Sequence, residues 1–125
     1  MHKTIQVDFG IIEIHNFYVI ATINEGVVLT NDLSYEIIQH AVEHFQDAPF
    51  VYITNRIHSY SVDPSVYIMT NDIKNLKGFG VVSPHVLARD NATFEKNFLN
   101  KEFEIFKTLD EAIEWARNLI FSANL

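Results

Sequence analysis

The side chains best suited to binding or reacting lie in one loop between two apolar runs. The segment VYITNRIHSYSVDPSVYIM, residues 51–69, combines three serine hydroxyls with an arginine and an aspartate just before a predicted helix. Phosphate and other anions favour a helix N-terminus, because its N–H groups are unpaired and carry partial positive charge. The candidate site residues are Asn55, Arg56, Ser59, Tyr60, Ser61, Asp63 and Ser65.

The hydroxyls of this loop also suit plain turn and cap chemistry. Ser59, Ser61 and Ser65 are either phosphorylated or anion-binding residues, or residues that only form the turn and cap the helix. We favour the second interpretation, because hydroxyls commonly stand at helix starts. Tyr60 either projects as a recognition aromatic or covers the apolar residues of its own loop, and we again favour the second.

A second set of polar residues raises metal chemistry. Glu36, His40 and His44 share one stripe of a predicted helix, a spacing that permits a site with two histidines and one carboxylate. The stripe lies opposite the apolar face and no further ligand is recognisable, so we favour a solvated surface. The sequence contains no cysteine, Ser-His-Asp signature, Gly-rich phosphate loop or HExxH motif. We expect no enzyme activity, metal site or cofactor; a hydrolase that uses the histidines is the weakest alternative.

Composition restricts the partners and the compartment. A chain of 125 residues is the usual size of one domain, so we expect a single domain over residues 1–125. The net charge of −7 repels phosphate backbones, and we expect no nucleic-acid partner. No apolar run approaches the ~18 residues of a membrane span, and the N-terminus lacks the pattern of a secretory signal. We therefore expect a cytoplasmic protein without an integral membrane segment.

Apolar periodicity predicts the strands that position the loop. Residues 4–30 alternate or run apolar in short pieces, which predicts an N-terminal β-meander joined by tight turns. PFVYIT (49–54) and GFGVVS (78–83) are apolar on both alternating faces, as interior parallel strands are. Asn55 and Arg56 then follow a strand end, where α/β folds place ligands.

Four helices are predicted between and after these strands. The first runs from about Asp32 to Gln46, and two more cover roughly 64–75 and 84–98, each after an Asp-Pro or Ser-Pro start signal. The strand EFEIFK follows, and a Thr-x-x-Glu capping box at Thr108 begins the last helix. The fold class is therefore α/β: a layer sandwich with an N-terminal β-meander, alternating helices and parallel strands, and about four to six strands.

The third helix carries an apolar stripe of Leu87, Phe94 and Phe98. Such a stripe is most often core, and a lid or a membrane-touching helix is the alternative. Ten phenylalanines and five tyrosines suit a lined pocket as well as a core. The candidate ligand-lining residues are Tyr67, Leu87, Phe94 and Phe98. Trp115 reaches either a homodimer surface or the edge of the sheet, and the edge strand of the meander keeps self-association open.

Three segments resemble a known family in order and spacing. They are FYVIATINEGVVLTNDLSYEIIQHAVEHF, FVYITNRIHSYSVDPSVYIM and FEIFKTLDEAIEWARNL, within residues 17–121. They resemble the opening strand and first helix, the central strand with its loop and second helix, and the last strand and closing helix of STAS domains. This is the sulfate-transporter and anti-sigma-factor-antagonist family, and the likeness is to its stand-alone SpoIIAA-like branch. The resemblance implies a non-enzymatic regulatory module that acts through a protein partner at the loop.

In the antagonist branch, the second helix begins with a D-S-S/T-G motif whose second hydroxyl accepts phosphate from a partner kinase. Asp63 matches the aspartate of the motif and Ser65 matches the acceptor. Pro64 stands in place of the first serine and Val66 in place of the glycine. A β-branched side chain at Val66 obstructs the close backbone approach that glycine allows.

A similar architecture also occurs in lipid-exchange proteins of the CRAL-TRIO type. That likeness implies an alternative function, a carrier or sensor of a small lipid or other apolar ligand held between the third helix and the sheet. A protein switch predicts an exposed loop over a filled interior. A carrier predicts an internal cavity of roughly several hundred Å3 lined by phenylalanine and tyrosine.

Overall fold

The computed structural model describes residues 2–58 and 60–122 of the chain. Its strands are β1 (Lys3–Val7), β2 (Gly10–Ile14), β3 (Tyr18–Ile23), β4 (Val28–Leu29), β5 (Phe50–Asn55), β6 (Ser61–Val62), β7 (Leu76–Val82) and β8 (Glu102–Phe106). Its helices are α1 (Asn31–Phe45), α2 (Val66–Asn71), α3 (Val86–Glu95) and α4 (Leu109–Phe121). The mixed α/β architecture and the four helices confirm the predicted fold class.

The main sheet has six strands in the order β1-β2-β3-β5-β7-β8. The first three form an antiparallel meander, and β5, β7 and β8 continue the sheet in parallel from β3. The last apolar piece of the predicted meander, GVVLT (26–30), does not join this sheet, because β2 and β5 already pair with the two edges of β3. Its strand β4 instead pairs in parallel with β6, and β6 lies within the candidate loop.

The second and third helices begin later than the sequence predicts. The Asp63 carboxylate accepts the backbone N–H of Ser65 at 3.0 Å, and the Ser83 hydroxyl accepts that of His85 at 3.1 Å. Each side chain therefore closes a turn over the two following residues instead of capping a helix at the proline. Both helices also end early, and a 3₁₀ turn, Lys96–Phe98, follows α3.

Each face of the sheet carries its own core. Phe50 and Tyr52 of β5 pack on the side of α1 and α2, whereas Val51 and Ile53 pack on the side of α4. All four side chains are buried, which confirms that this apolar segment is an interior strand. Burial on both faces leaves only the carboxyl end of β5 free to present polar groups, and the candidate loop starts there.

Trp115 of α4 packs over β7, where two glycines leave room for it. A Cβ atom added at Gly78 would lie 2.5 Å from Leu119 Cδ2 and 2.8 Å from Trp115 Cη2, and one at Gly80 would lie 3.3 Å from Trp115 Cζ3. The indole ring also contacts Phe106 of β8, with the ring centroids 5.5 Å apart. Trp115 therefore packs on the sheet near its β8 edge, which is the second of the two alternatives for this side chain.

We expect Gly78→Ala to lower the free energy of unfolding by about 2 kcal/mol, because the new methyl group overpacks the contact with Leu119 and Trp115. The matched variant Gly80→Ala should cost less than half as much, since its nearest neighbour is farther away. Urea unfolding at equilibrium measures both values. Equal stability of Gly78→Ala and the parent chain would contradict the close packing of α4 on β7.

Candidate functional site

Arg56, at the start of the candidate loop, points into the molecule. Its backbone N–H donates to the carbonyl of Val82 at 2.7 Å, and its own carbonyl accepts the hydroxyl of Ser83 at 3.0 Å. These two bonds clamp the ends of β5 and β7 together and direct the guanidinium beneath the loop. Arg56 is only 6% exposed, although the sequence places it in a polar loop.

The guanidinium of Arg56 forms a two-pronged ion pair with Glu95 of α3. Its Nη1 donates to Glu95 Oε2 at 2.8 Å and its Nη2 donates to Oε1 at 2.5 Å. The Nε atom donates to the Tyr60 hydroxyl at 3.1 Å, and that hydroxyl is 2.6 Å from the Thr54 hydroxyl. The Tyr67 hydroxyl donates to Glu95. We call these five side chains the Arg56–Glu95 network.

Electrostatics stabilise the charged form of Arg56 and the neutral form of Tyr67. Burial disfavours the charged guanidinium, but the hydrogen bond and negative charge of Glu95 outweigh that effect and raise the pKa of Arg56. Burial and the same carboxylate raise the pKa of Tyr67, so its phenol stays neutral and donates. A buried pair with these hydrogen bonds is satisfied on both sides, so no net charge remains beneath the loop.

The sequence did not reveal Glu95, and the inward face of α3 was predicted wrongly. Leu87, Phe94 and Phe98 are 72%, 60% and 40% exposed, so this stripe is not core. The face turned toward the sheet follows a second helical stripe, which comprises Ala88, Ala92, Glu95 and Leu99. An acidic residue at helical spacing from two alanines was the available signal, and the larger apolar residues concealed it.

An open groove of about 690 Å3 separates the loop from α3. The α3 wall presents Leu87 and Phe94, and the opposite wall presents Ile57 and Tyr60. Leu87, Phe94 and Ile57 are exposed, and the Arg56–Glu95 network lies beneath them. The groove therefore has apolar walls over a polar floor whose charges are already paired.

The candidate loop residues fall into different environments. Tyr60 and Ser61 line the groove, and Asn55 ends β5 beside it. Tyr60 also joins the network, so it does more than cover the loop. Ser59 lies outside the described residues. Part of the predicted site thus lies around the pair of Arg56, which belongs to the loop, and Glu95, which belongs to α3.

Asp63 and Ser65 bind each other. The Ser65 hydroxyl and backbone N–H donate to Asp63 Oδ1 at 2.9 and 3.0 Å, and these bonds lower the pKa of the Asp63 carboxyl. A phosphate on Ser65 would break the hydroxyl bond and place two anions side by side. This geometry favours the interpretation of Ser65 as a turn residue; it stands at the N-cap position of α2, but its side chain makes no capping hydrogen bond.

The remaining ligand-lining candidates do not share one cavity. Tyr67 is buried beside a small pocket of about 20 Å3, which is room for roughly one water molecule. Phe98 contacts Phe94 edge to face, with centroids 5.4 Å apart, and lies beyond the groove lining. Only Leu87 and Phe94 of the four therefore line the groove. The pocket of about 20 Å3 beside Tyr67 is far smaller than the internal cavity that a carrier predicts.

Comparison with known proteins finds similarity in structure and none in sequence. No protein-family model and no curated protein matches the sequence. A solved structure does: an uncharacterised DUF3478-family protein with a SpoIIAA-like fold from Shewanella loihica PV-4, at a TM-score of 0.59 over 93% of this chain and 92% of that chain. The chain has a SpoIIAA-like fold. At 11% identity, the SpoIIAA-like match establishes the architecture and leaves the activity to be argued from the site.

The SpoIIAA-like architecture confirms the fold that the resemblance of the three sequence segments implied. Within residues 2–58 and 60–122, no helix is both long and apolar enough to span a membrane. The groove and the network beneath it lie at the carboxyl ends of β5 and β7, where open α/β sheets place their ligands.

Proposed function

We propose that this SpoIIAA-like protein is a non-enzymatic regulatory module that binds a protein partner in the groove between α3 and the loop of residues 55–65. The observation that carries the proposal is the exposed apolar face of α3. Leu87 and Phe94 turn away from the core and toward a groove, and contiguous exposed apolar side chains of this kind mark interaction sites.

The groove favours an amphipathic helix as the bound segment. Its walls carry exposed apolar side chains and the Arg56 and Glu95 charges of its floor are paired with each other, and helices commonly lay an apolar face into such grooves. Glu25 also lines the groove, and the chain carries a net charge of −7. Basic residues flanking the apolar face of the partner would complement this surface and speed association.

The interior supports a protein partner over a ligand carrier. The pocket beside Tyr67 has a volume of only about 20 Å3, and the phenol of Tyr67 already donates its hydrogen bond to Glu95. A lipid chain would have to lie in the open groove, where water reaches it. A protein helix would bring its own polar face to cover the opening.

The test begins with a photo-crosslinking amino acid placed at Leu87 in the native host. We expect a covalent adduct with a protein, identified by mass spectrometry, and no such adduct from the same probe at Ile68. Ile68 of α2 is 70% exposed but does not line the groove, so it controls for exposed apolar surface in general. A lipid adduct at Leu87, or equal protein adducts at both positions, would contradict the proposal.

With the captured partner purified, we expect Phe94→Asp to weaken its affinity at least thirtyfold, about 2 kcal/mol, as loss of a central apolar anchor does. The unfolding midpoint should be unchanged, because Phe94 is 60% exposed. Isothermal titration calorimetry gives the affinity, and Ile68→Asp serves as the matched control. Unchanged affinity in Phe94→Asp would place the partner elsewhere.

A further inference from the structure

The start of the chain brings two histidines and a glutamate together, far from the groove. The register of β1 and β2 pairs Thr4 with Glu13, so His2 stands opposite His15 two positions along. Opposed residues of an antiparallel pair, and residues two apart on one strand, project from the same face of the sheet. His2, Glu13 and His15 therefore occupy three corners of a square on one face.

The distances among these three side chains suit a shared ion. One ligand atom from each residue, an imidazole nitrogen or a carboxylate oxygen, lies within 4.8 Å of the other two. His2 Nε2 is already 3.5 Å from Glu13 Oε1. A tetrahedral zinc ion with bonds of about 2.0–2.2 Å separates its ligand atoms by about 3.3–3.6 Å. The His2 and His15 rings are stacked nearly parallel, and the in-plane nitrogen lone pairs of parallel rings do not converge. The His2 side chain, which is 50% exposed, therefore has to rotate out of the stack to share an ion with Glu13 and His15.

The ring of His15 supplies an independent indication. Its Nε2 atom is buried and has no hydrogen-bond partner, and no other side-chain nitrogen or oxygen in residues 2–58 and 60–122 is in that condition. The ring is held between His2 and Tyr18, with centroids 4.4 and 4.5 Å apart. A buried nitrogen without a partner is unfavourable, and a metal ion is a partner that this stacked ring could accept.

We propose that His2, Glu13 and His15 bind a divalent transition-metal ion of the zinc type, with a fourth coordination position left for water or another ligand. Two imidazoles and one carboxylate form a donor set that binds zinc in preference to magnesium or calcium. Such an ion would tie the first residues of the chain to β2 and brace the exposed edge strand β1. This site is separate from the groove and does not depend on the proposed function.

The proposal replaces the sequence-based expectation that the chain has no metal site. The alternative considered from the sequence was the stripe of Glu36, His40 and His44 on α1. In the part of the chain that the structure describes, no group of three or more histidine and carboxylate side chains other than His2, Glu13 and His15 lies close enough to share an ion.

Zinc titration of the whole metal-free chain by calorimetry tests the site. We expect one ion per chain, a loss of at least tenfold in affinity for Glu13→Gln, and no measurable binding for His15→Ala. The double variant His40→Ala/His44→Ala is the matched control and should bind within twofold of the parent chain. Glu13→Gln keeps the shape of a partly exposed side chain, and circular dichroism verifies its fold.

Two outcomes would overturn the proposal. One is the absence of zinc binding in the parent chain. The other is affinity that falls in His40→Ala/His44→Ala and persists in His15→Ala, which would place the ion on α1. As a second readout, zinc should raise the thermal unfolding midpoint of the parent chain and leave that of His15→Ala unchanged, because only native-state binding stabilises.

Discussion

Replacing Arg56 by methionine should lower the free energy of unfolding by about 3–5 kcal/mol, the cost of leaving one member of a buried ion pair without its partner. Among residues 2–58 and 60–122, the variant leaves the Glu95 carboxylate, 7% exposed, with only the Tyr67 hydroxyl as a hydrogen-bond donor. It also removes the Nε donor of the Tyr60 hydroxyl. Urea unfolding at neutral pH measures the loss.

The double variant Arg56→Met/Glu95→Leu distinguishes the net contribution of the ion pair to stability from the penalty of leaving one buried charge unpaired. Removing both charges leaves apolar side chains of similar volume, so most of the lost stability should return. Glu114→Gln breaks an exposed pair in which the Glu114 side chain is 66% exposed and the Arg117 side chain 54%, and it should cost less than about 1 kcal/mol. An Arg56→Met variant as stable as Glu114→Gln, or a double variant that sums the two single losses, would contradict this account.

Arg56→Met should also loosen α3 more than the rest of the fold. Ala92 and Glu95 are the two buried residues of this helix, so its attachment depends on the ion pair more than on apolar contact. We therefore expect amide exchange across residues 86–95 to accelerate in Arg56→Met more than exchange across α4. The groove wall and the buried pair are parts of one helix, which links the stability of the pair to the shape of the proposed binding surface.

Phe79→Ala should have an effect of similar size, about 3–5 kcal/mol, because it removes a large buried ring from a packed aromatic cluster. The Phe79 ring stacks on Tyr52 and Phe103, with centroids 4.9 and 5.5 Å away, and meets Tyr67 edge to face at 5.5 Å. The cavity left behind would lie directly beside Tyr67. Equilibrium unfolding measures the effect.

Two further variants make the result interpretable. Phe79→Leu keeps most of the apolar volume and should cost clearly less than Phe79→Ala. Phe121→Ala removes a ring that is 55% exposed and makes one edge contact with Phe17, so it should cost less than about 1 kcal/mol. If Phe79→Ala and Phe121→Ala had equal effects, the aromatic cluster would not be part of the stable core.

Local sequence chemistry predicted most of the elements. The capping box at Thr108 is present as predicted: Thr108 Oγ1 accepts the N–H of Glu111, and the Glu111 carboxylate accepts the N–H of Thr108. The continuous apolar run of β5 correctly indicated an interior strand, and the order of elements correctly indicated a SpoIIAA-like fold. These features depend on neighbours within a few residues, which a pattern can show.

The site was decided by contacts between distant parts of the chain. Arg56 and Glu95 are 39 positions apart, and only the meeting of the β5 end with α3 turns the glutamate inward and the apolar residues of α3 outward. His2 and His15 meet only through the register of an antiparallel pair. The sequence by itself thus determined the existence and order of the four helices and of the strands of the main sheet, because propensity and periodicity are local. Tertiary structure decided which face of α3 is buried and which polar groups meet, because those depend on the free energy of the whole packed arrangement.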